Sequence, residues 1–185
     1  ALAETCDHQS FIARAPMVLV FCADCKKWYD AYREAGCDPR APGVGDLMLA
    51  FSDAAIAAQN AVVAAESLGL GSCYIGDIME NCARQRALLH LPDYVFPAVM
   101  LVFGWPTPQQ RERPKPQRCP MAHIVHQNTY RSMDGAELRA MLAHNCGTRP
   151  FEEWCAAFCE RKYNSDFSRE MTRSVAEYLR QFQRG

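Results

Sequence analysis

The uninterrupted apolar stretch Leu47–Leu68 is the feature that most constrains how this chain can fold. It contains no proline or glycine, and alanine, leucine, valine and isoleucine dominate it. These residues lose little freedom in a helix, and about 22 of them would span roughly 33 Å, the width of a small domain. A helix apolar on every side is buried or spans a membrane, and the polar Asp53 and Gln59-Asn60 in its middle favour burial. The sequence therefore predicts a long, buried central helix.

The residues after this helix predict a turn into a second helix. Gly69-Leu70-Gly71 can supply the left-handed residue that ends a helix, and Ser72–Gly76 has the pattern of a short extended segment. Asp77–Glu80 has capping-box spacing, which predicts a helix from there to about His90. Its free N–H groups would face any ligand over Tyr74–Asp77. On local sequence alone, a connection with no further role is the commoner explanation.

Two continuous apolar runs, Met17–Ala23 and Val95–Phe103, predict strands buried on both faces. The remainder is mostly helical. Asp134–Asn145 is expected to form a helix, because it opens with a capping box at Asp134–Glu137 and is followed by Gly147. Phe151–Lys162 and Ser168–Gln183 are amphipathic and are expected to form two more. We therefore expect an α+β fold in which helices surround a small central sheet that includes both strands. A doubly wound parallel sheet would need more alternation of strands and helices. The length of 185 residues favours a single domain, residues 1–185.

Charge and composition exclude several classes of partner. The formal net charge is -1 and no basic run occurs, so we expect neither nucleic acid nor an anionic membrane as a partner. No signal peptide is visible, and the ten cysteines fit packing as free thiols in a reducing compartment. These observations predict a cytoplasmic protein.

Cys22 and Cys25 have the CxxC spacing of a redox or metal pair. No second CxxC accompanies them, so structural packing is the commoner explanation, and a thiol or metal module stays open as an alternative. The five histidines share no ligand spacing, and we expect no metal site. The chain also lacks a P-loop, an HExxH motif and a nucleophile elbow.

The segment Thr107–Pro120 contains four prolines and cannot form a central strand or helix. It carries Arg111, Arg113, Lys115 and Arg118, a set of cations suited to a phosphate group. A solvated run of charges is the commoner explanation of such a loop when it is considered alone.

Taken together, these stretches resemble the FMN-dependent nitroreductase family, most closely its oxygen-insensitive, NfsA-like branch. The order and spacing of several blocks carry the resemblance, and they cover essentially the whole chain. The blocks are Ala15–Phe21, Ala57–Ala61, Ala64–Gly76, Leu91-Pro92 with Phe96-Pro97, Phe103–Pro106 and Arg113–Pro116.

The resemblance implies a nitroreductase-like fold and a site for FMN. It places the backbone of Ile75, Gly76 and Asp77, together with Tyr74, against the edge of the flavin ring. It assigns the flavin phosphate to Arg113 and to Lys115, with Arg118 as a rival for the second role. No catalytic side chain is implied, because the flavin carries the hydride chemistry.

The same resemblance implies an intertwined homodimer that passes two electrons from NAD(P)H to a small-molecule acceptor by a ping-pong mechanism. A nitroaromatic or a quinone is the expected type of acceptor. Nothing in the chain matches the Arg-Ser-x-Arg motif and the following segment with which family members begin. We therefore expect an N-terminally truncated member of the family. The alternative is a flavin-less remnant or interaction subunit without catalysis.

Overall fold

The computed structural model describes residues 1–183, which form two compact units. The first unit comprises residues 1–111 and the residues from Arg169 onward, and the second comprises Glu112–Ser168. Residues 184 and 185, the end of the domain predicted from the sequence, lie outside the described residues.

The α-helices and β-strands have the following bounds. The strands are β1 (Met17–Asp24), β2 (Gly71–Ile75) and β3 (Val95–Gly104). The helices are α1 (Leu2–Thr5), α2 (Ser10–Arg14), α3 (Lys26–Glu34), α4 (Val44–Ser67), α5 (Cys82–Leu89), α6 (Pro108–Glu112), α7 (Gly135–Cys146), α8 (Phe151–Lys162) and α9 (Asp166–Leu179). Single 3₁₀ turns occupy Gly76–Met79, Met121–His123 and Arg180–Gln183.

Within residues 1–183, the strands form one antiparallel sheet in the order β1-β3-β2. The predicted α+β class with a small sheet is confirmed, and the antiparallel pairing excludes the doubly wound alternative. The extended segment predicted after the long helix is the edge strand β2. A register irregularity between Phe21 and Cys22 lies opposite Pro97. This is where a residue without a backbone N–H can be tolerated, because a bulge interrupts the ladder of hydrogen bonds.

The strands differ in burial. β3 is buried at eight of its ten positions, as its continuous apolar run predicts. β1 lies at an edge of the sheet, and Met17 and Leu19 are exposed. The prediction that Met17–Ala23 is buried on both faces is therefore wrong. An apolar run indicates that burial of the strand is favourable, but it does not show whether the same chain buries it.

The long helix α4 is continuous, as predicted, and begins three residues earlier than Leu47. Gly43 caps it, and the Gly43 N–H donates to the Asp46 carboxylate at 2.8 Å. The Arg40 guanidinium donates two further bonds to that carboxylate, at 2.5 and 2.9 Å. These bonds from Arg40 and Gly43 lower the pKa of Asp46 to about 2.

Only one stripe of α4 is buried. Leu47, Ala54, Ala58 and Ala65 are buried, whereas the opposite face exposes Met48, Ile56 and Val63. The prediction of a helix buried on every side is thus wrong for this chain, because β1, β2 and β3 contact a single face. By length and composition alone, α4 could also cross a membrane. Its buried stripe is that of a helix packed on a sheet.

An aromatic cluster joins β3, α4 and α9 in the core of the first unit. Phe96 is only 2% exposed and contacts the ring of Tyr178 edge-on, with the ring centroids 4.9 Å apart. The ring of Phe51 in α4 lies 6.1 Å from that of Phe96 between centroids. Such edge-to-face pairs add about 0.5–1.5 kcal/mol beyond the burial of their area.

The second unit contains α7 and α8 and confirms both predicted helices. Asp134 accepts a bond from the Glu137 N–H at 2.9 Å, and the Glu137 side chain accepts from the Asp134 N–H at 3.0 Å. This is the capping box that the sequence predicts. An ion pair between Arg139 and Glu152, 2.6 Å long, links the two helices.

Candidate functional site

The end of β2 and the 3₁₀ turn after it form an exposed edge whose inner side chains are anchored in the core. Ile75 and Ile78 are buried, while Tyr74 and Gly76 are exposed. A Cβ built on Gly76 would meet no heavy atom within 4 Å among the described residues, apart from its chain neighbours. Two buried isoleucines therefore anchor the backbone of the turn, and its outer side is open to a ligand.

Tyr74 connects this edge to the long helix. Its hydroxyl donates to the Gln59 Oε1 atom at 2.9 Å. Gln59 belongs to the polar pair in the middle of α4 that the sequence analysis used only as an argument against a membrane helix. The bond fixes the Tyr74 ring along α4 and gives Gln59 a structural role.

The helix predicted to start at Asp77 begins later. Asp77 lies in the 3₁₀ turn, Asn81 adopts a left-handed conformation with φ 50°, and α5 starts at Cys82. The first N–H groups around α5 are already occupied: Asn81 N–H donates to Glu170 at 3.1 Å, and Cys82 N–H to Ser174 at 2.9 Å. These two N–H groups at the start of α5 are therefore bound by side chains of α9, which leaves the N–H groups of the short turn as candidates for binding a ligand at the edge.

Glu80 ends the 3₁₀ turn and is the main feature of this region that the sequence analysis did not identify. It is only 5% exposed, and its Oε1 atom has no hydrogen-bond partner among residues 1–183. Burial, reinforced by the negative charges of Asp77, Asp7 and Glu170, raises the pKa of Glu80 to about 7. The carboxyl group therefore holds its proton to a higher pH than an exposed glutamate does.

The cationic loop predicted to bind phosphate lies at the start of the second unit. Arg113, Lys115 and Arg118 are exposed. Within the described residues, none of the three forms an ion pair or a side-chain hydrogen bond. Their charges are thus available to an anion. The helix α6, which ends at Glu112, was not predicted; Pro108 opens it, where a missing N–H carries no penalty.

Cys22 and Cys25 are free thiols, and Cys25 is buried. Burial raises the pKa of both Cys22 and Cys25, which keeps them protonated. Among residues 1–183, no three histidine, cysteine, aspartate or glutamate side chains are grouped as a metal site would require.

Comparison with known proteins gives a consistent family. The sequence model of the nitroreductase family matches residues 3–105. A Cr(VI) reductase of Pseudomonas sp. (strain G-1) is 39% identical over 119 residues, which is 64% of this chain and 48% of that protein. The oxygen-insensitive NADPH nitroreductase of Salmonella typhimurium is 37% identical over 134 residues, 72% of this chain and 53% of that protein. The chain therefore spans about half the length of these relatives.

The solved structures agree with the sequence relatives. NfrA2 of B. megaterium superposes with a TM-score of 0.76 and 28% identity, over 96% of this chain and 74% of that one. The NfrA1 nitroreductase of B. subtilis gives a TM-score of 0.73 and 26% identity, over 92% of this chain and 75% of that one.

Proposed function

Because this chain belongs to the nitroreductase family, we propose that it forms the core of an FMN-dependent oxidoreductase. The enzyme would take two electrons from NAD(P)H and pass them to a nitroaromatic, a quinone or a similar small acceptor by a ping-pong mechanism. The names of two relatives support this reaction class. One is the NADPH nitroreductase described above, and the other is an FMN reductase [NAD(P)H] of Bacillus subtilis, 31% identical over 179 residues, 96% of this chain and 68% of that protein. The observation that carries the proposal is the family match together with the exposed edge at Tyr74–Asp77, which buried isoleucines anchor. We also propose a cytoplasmic location.

The residues present fit an FMN group. In the first unit, the open space over Gly76 suits a flat ring that must approach the backbone closely. In the second unit, taken by itself, Arg113, Lys115 and Arg118 are exposed cations of the kind that binds a phosphate. When bound, FMN supplies the hydride and electron chemistry itself, so no side chain need act as a nucleophile or general acid. The chain's task is to bind, orient and stabilise charge.

The backbone at the turn performs the electrostatic part of that task. N–H groups at the start of a helical turn have no partner within it and favour a negative charge beside them. The N–H groups of Gly76 and Asp77 occupy such positions, on a segment that Ile75 and Ile78 hold in place. Because these donors are fixed before the reaction, they stabilise a developing negative charge without reorganisation.

Arg113→Ala is expected to weaken FMN binding about ten- to a hundredfold, because a hydrogen bond to a charged group contributes roughly 1.5–3 kcal/mol. The fold should not change, since Arg113 is exposed. At saturating FMN, the rate of NADPH oxidation should be nearly that of the wild type. Fluorescence titration of FMN with the intact gene product measures the affinity.

Arg111→Ala is the matched control, since Arg111 is also exposed and is assigned to solvent. Its FMN affinity should equal that of the wild type. Equal affinity in Arg113→Ala and wild type would refute the phosphate assignment. An equal loss in both variants would reduce it to a nonspecific effect of charge.

We propose further that the enzyme is a homodimer and that the dimer interface buries the exposed outer face of α4. Met48, Ile56 and Val63 line this face, and Ile56 is 61% exposed. Large apolar side chains exposed on one side of a helix are typical of interaction surfaces, and obligate dimer interfaces resemble a domain core.

Ile56→Glu is expected to convert the dimer to a monomer at micromolar concentration, because it would bury an unpaired charge in the interface. Light scattering on the purified protein measures the mass. Tyr163→Glu, which places the same charge at an exposed site on the second unit, should leave the dimer intact. A wild-type protein that is a stable monomer would contradict the proposal.

A further inference from the structure

A cavity of about 860 Å³ lies beside β1 in the first unit. Its lining comes from β1, α3, α4 and the connection between these helices, with Phe21 and Ala54 among the apolar side chains. Small-molecule sites are typically clefts of roughly 300–1,000 Å³ with apolar walls and a few polar groups. The cavity has both the size and the composition of such a site.

Two aromatic rings of α3 form one wall. Trp28 and Tyr32 are one helical turn apart, so their side chains lie on the same face, and their ring centroids are 5.8 Å apart. Both are exposed, Trp28 by 68% and Tyr32 by 47%. The faces of such electron-rich rings attract cations, most strongly that of tryptophan.

All but one of the described charged side chains that line the cavity form ion pairs with one another. Asp24 pairs with Lys27 at 3.2 Å, and Asp46 is bound by Arg40. The thiols that line the cavity are protonated, as described above. Within residues 1–183, the exposed Asp53 carboxylate has no hydrogen bond and no ion pair. One unneutralised negative charge therefore remains on the α4 side of the cavity.

The cavity is separate from the proposed flavin edge. It lies beside β1, whereas Tyr74 lies on β2, at the opposite edge of the sheet. The two regions also use different sides of α4. Asp53 and Gln59, the partner of Tyr74, are six residues apart and therefore point about 120° apart around the helix axis. A ligand of the cavity need not contact the proposed cofactor.

We propose that this cavity binds a small organic cation that has an aromatic body or a quaternary ammonium group. The body packs on Trp28 and Tyr32, and the positive charge faces the Asp53 carboxylate. Neutral aromatic compounds bind more weakly because they gain only the packing, and anions are repelled by Asp53.

Isothermal titration of the purified protein with benzyltrimethylammonium tests the proposal, with benzyl alcohol as the neutral probe and phenylacetate as the anionic probe. The cation should bind about tenfold more tightly than benzyl alcohol, and phenylacetate should not bind measurably. Asp53→Asn should weaken the cation about fivefold and leave benzyl alcohol unchanged. Trp28→Leu should weaken both probes.

Glu66→Gln is the matched control. It removes a carboxylate from an exposed site on the same helix, roughly 20 Å from Asp53, and should not change the affinity for the cation. Equal binding of the three probes, or no binding of benzyltrimethylammonium, would overturn the proposal. So would an equal loss in Asp53→Asn and Glu66→Gln. The comparison of probes on the wild type needs no variant to fold.

Discussion

Glu80→Gln is expected to stabilise the protein by up to about 3 kcal/mol at pH 8, although the substitution adds no apolar contact. Glu80 is almost completely buried, and its Oε1 atom has no hydrogen-bond partner in the described part of the chain. Burial and the neighbouring carboxylates raise its pKa from 4.5 to about 7, a difference that corresponds to roughly 3 kcal/mol. Glutamine keeps the shape and removes the charge that burial penalises.

The effect has a defined pH dependence. Between pH 4.5 and about 7, the folded state keeps the proton on Glu80 and the unfolded state loses it, so the stability of the wild type falls as the pH rises. Above pH 7 both states are ionised and the penalty is constant. Below pH 4.5 both are protonated, and the variant should be about as stable as the wild type.

Urea denaturation from pH 4 to 8 measures this difference in the free energy of unfolding. Glu66→Gln, at an exposed carboxylate, should show no such trend. A Glu80→Gln variant whose stability relative to the wild type does not change with pH would show that Glu80 is ionised or solvated in the folded protein.

Phe96→Ala is expected to destabilise the protein by about 3–5 kcal/mol, the usual cost of removing a buried phenylalanine. Its ring contacts both Phe51 and Tyr178 and so connects α4 and α9 to the central strand. Collapse of the resulting cavity would require the sheet and both helices to move together.

The same urea measurement at constant pH tests this expectation. Trp105→Ala, which removes a larger ring that is 70% exposed just after the same strand, should change the stability by less than about 0.5 kcal/mol. A loss below about 1 kcal/mol for Phe96→Ala would show that the cluster does not organise the first unit.

The sequence predicted elements whose signal is local. The central strand Val95–Gly104 and the capped helix Gly135–Cys146 were recognisable because apolar runs and capping residues act within a few residues of themselves. The extent of α4 followed from helical propensity in the same way. The burial of α4 could not be predicted in this way. An apolar composition indicates that a face is buried in some contact, but it does not show whether the same chain or another molecule makes that contact.

The errors around the candidate site have a tertiary origin. Asp77–Glu80 has the spacing of a capping box, yet Glu80 is buried and Asn81 adopts a left-handed conformation. The Asn81 N–H donates to Glu170, which is 89 residues away in the sequence. No pattern within the segment contains that partner. The sequence predicted a ligand-facing segment at Tyr74–Asp77, and the structure has an exposed edge there. The role of this edge in binding FMN stays a prediction. The phosphate-binding roles of Arg113, Lys115 and Arg118 also stay predictions.

The absorption spectrum of the intact gene product, recorded before and after anaerobic addition of NADPH, tests the central claim most directly. We expect a yellow protein whose visible flavin bands bleach with NADPH and return when a quinone or a nitroaromatic compound is added. A colourless protein that takes up no FMN on titration, or a yellow one that neither NADPH nor NADH bleaches, would contradict the assignment of an FMN-dependent oxidoreductase.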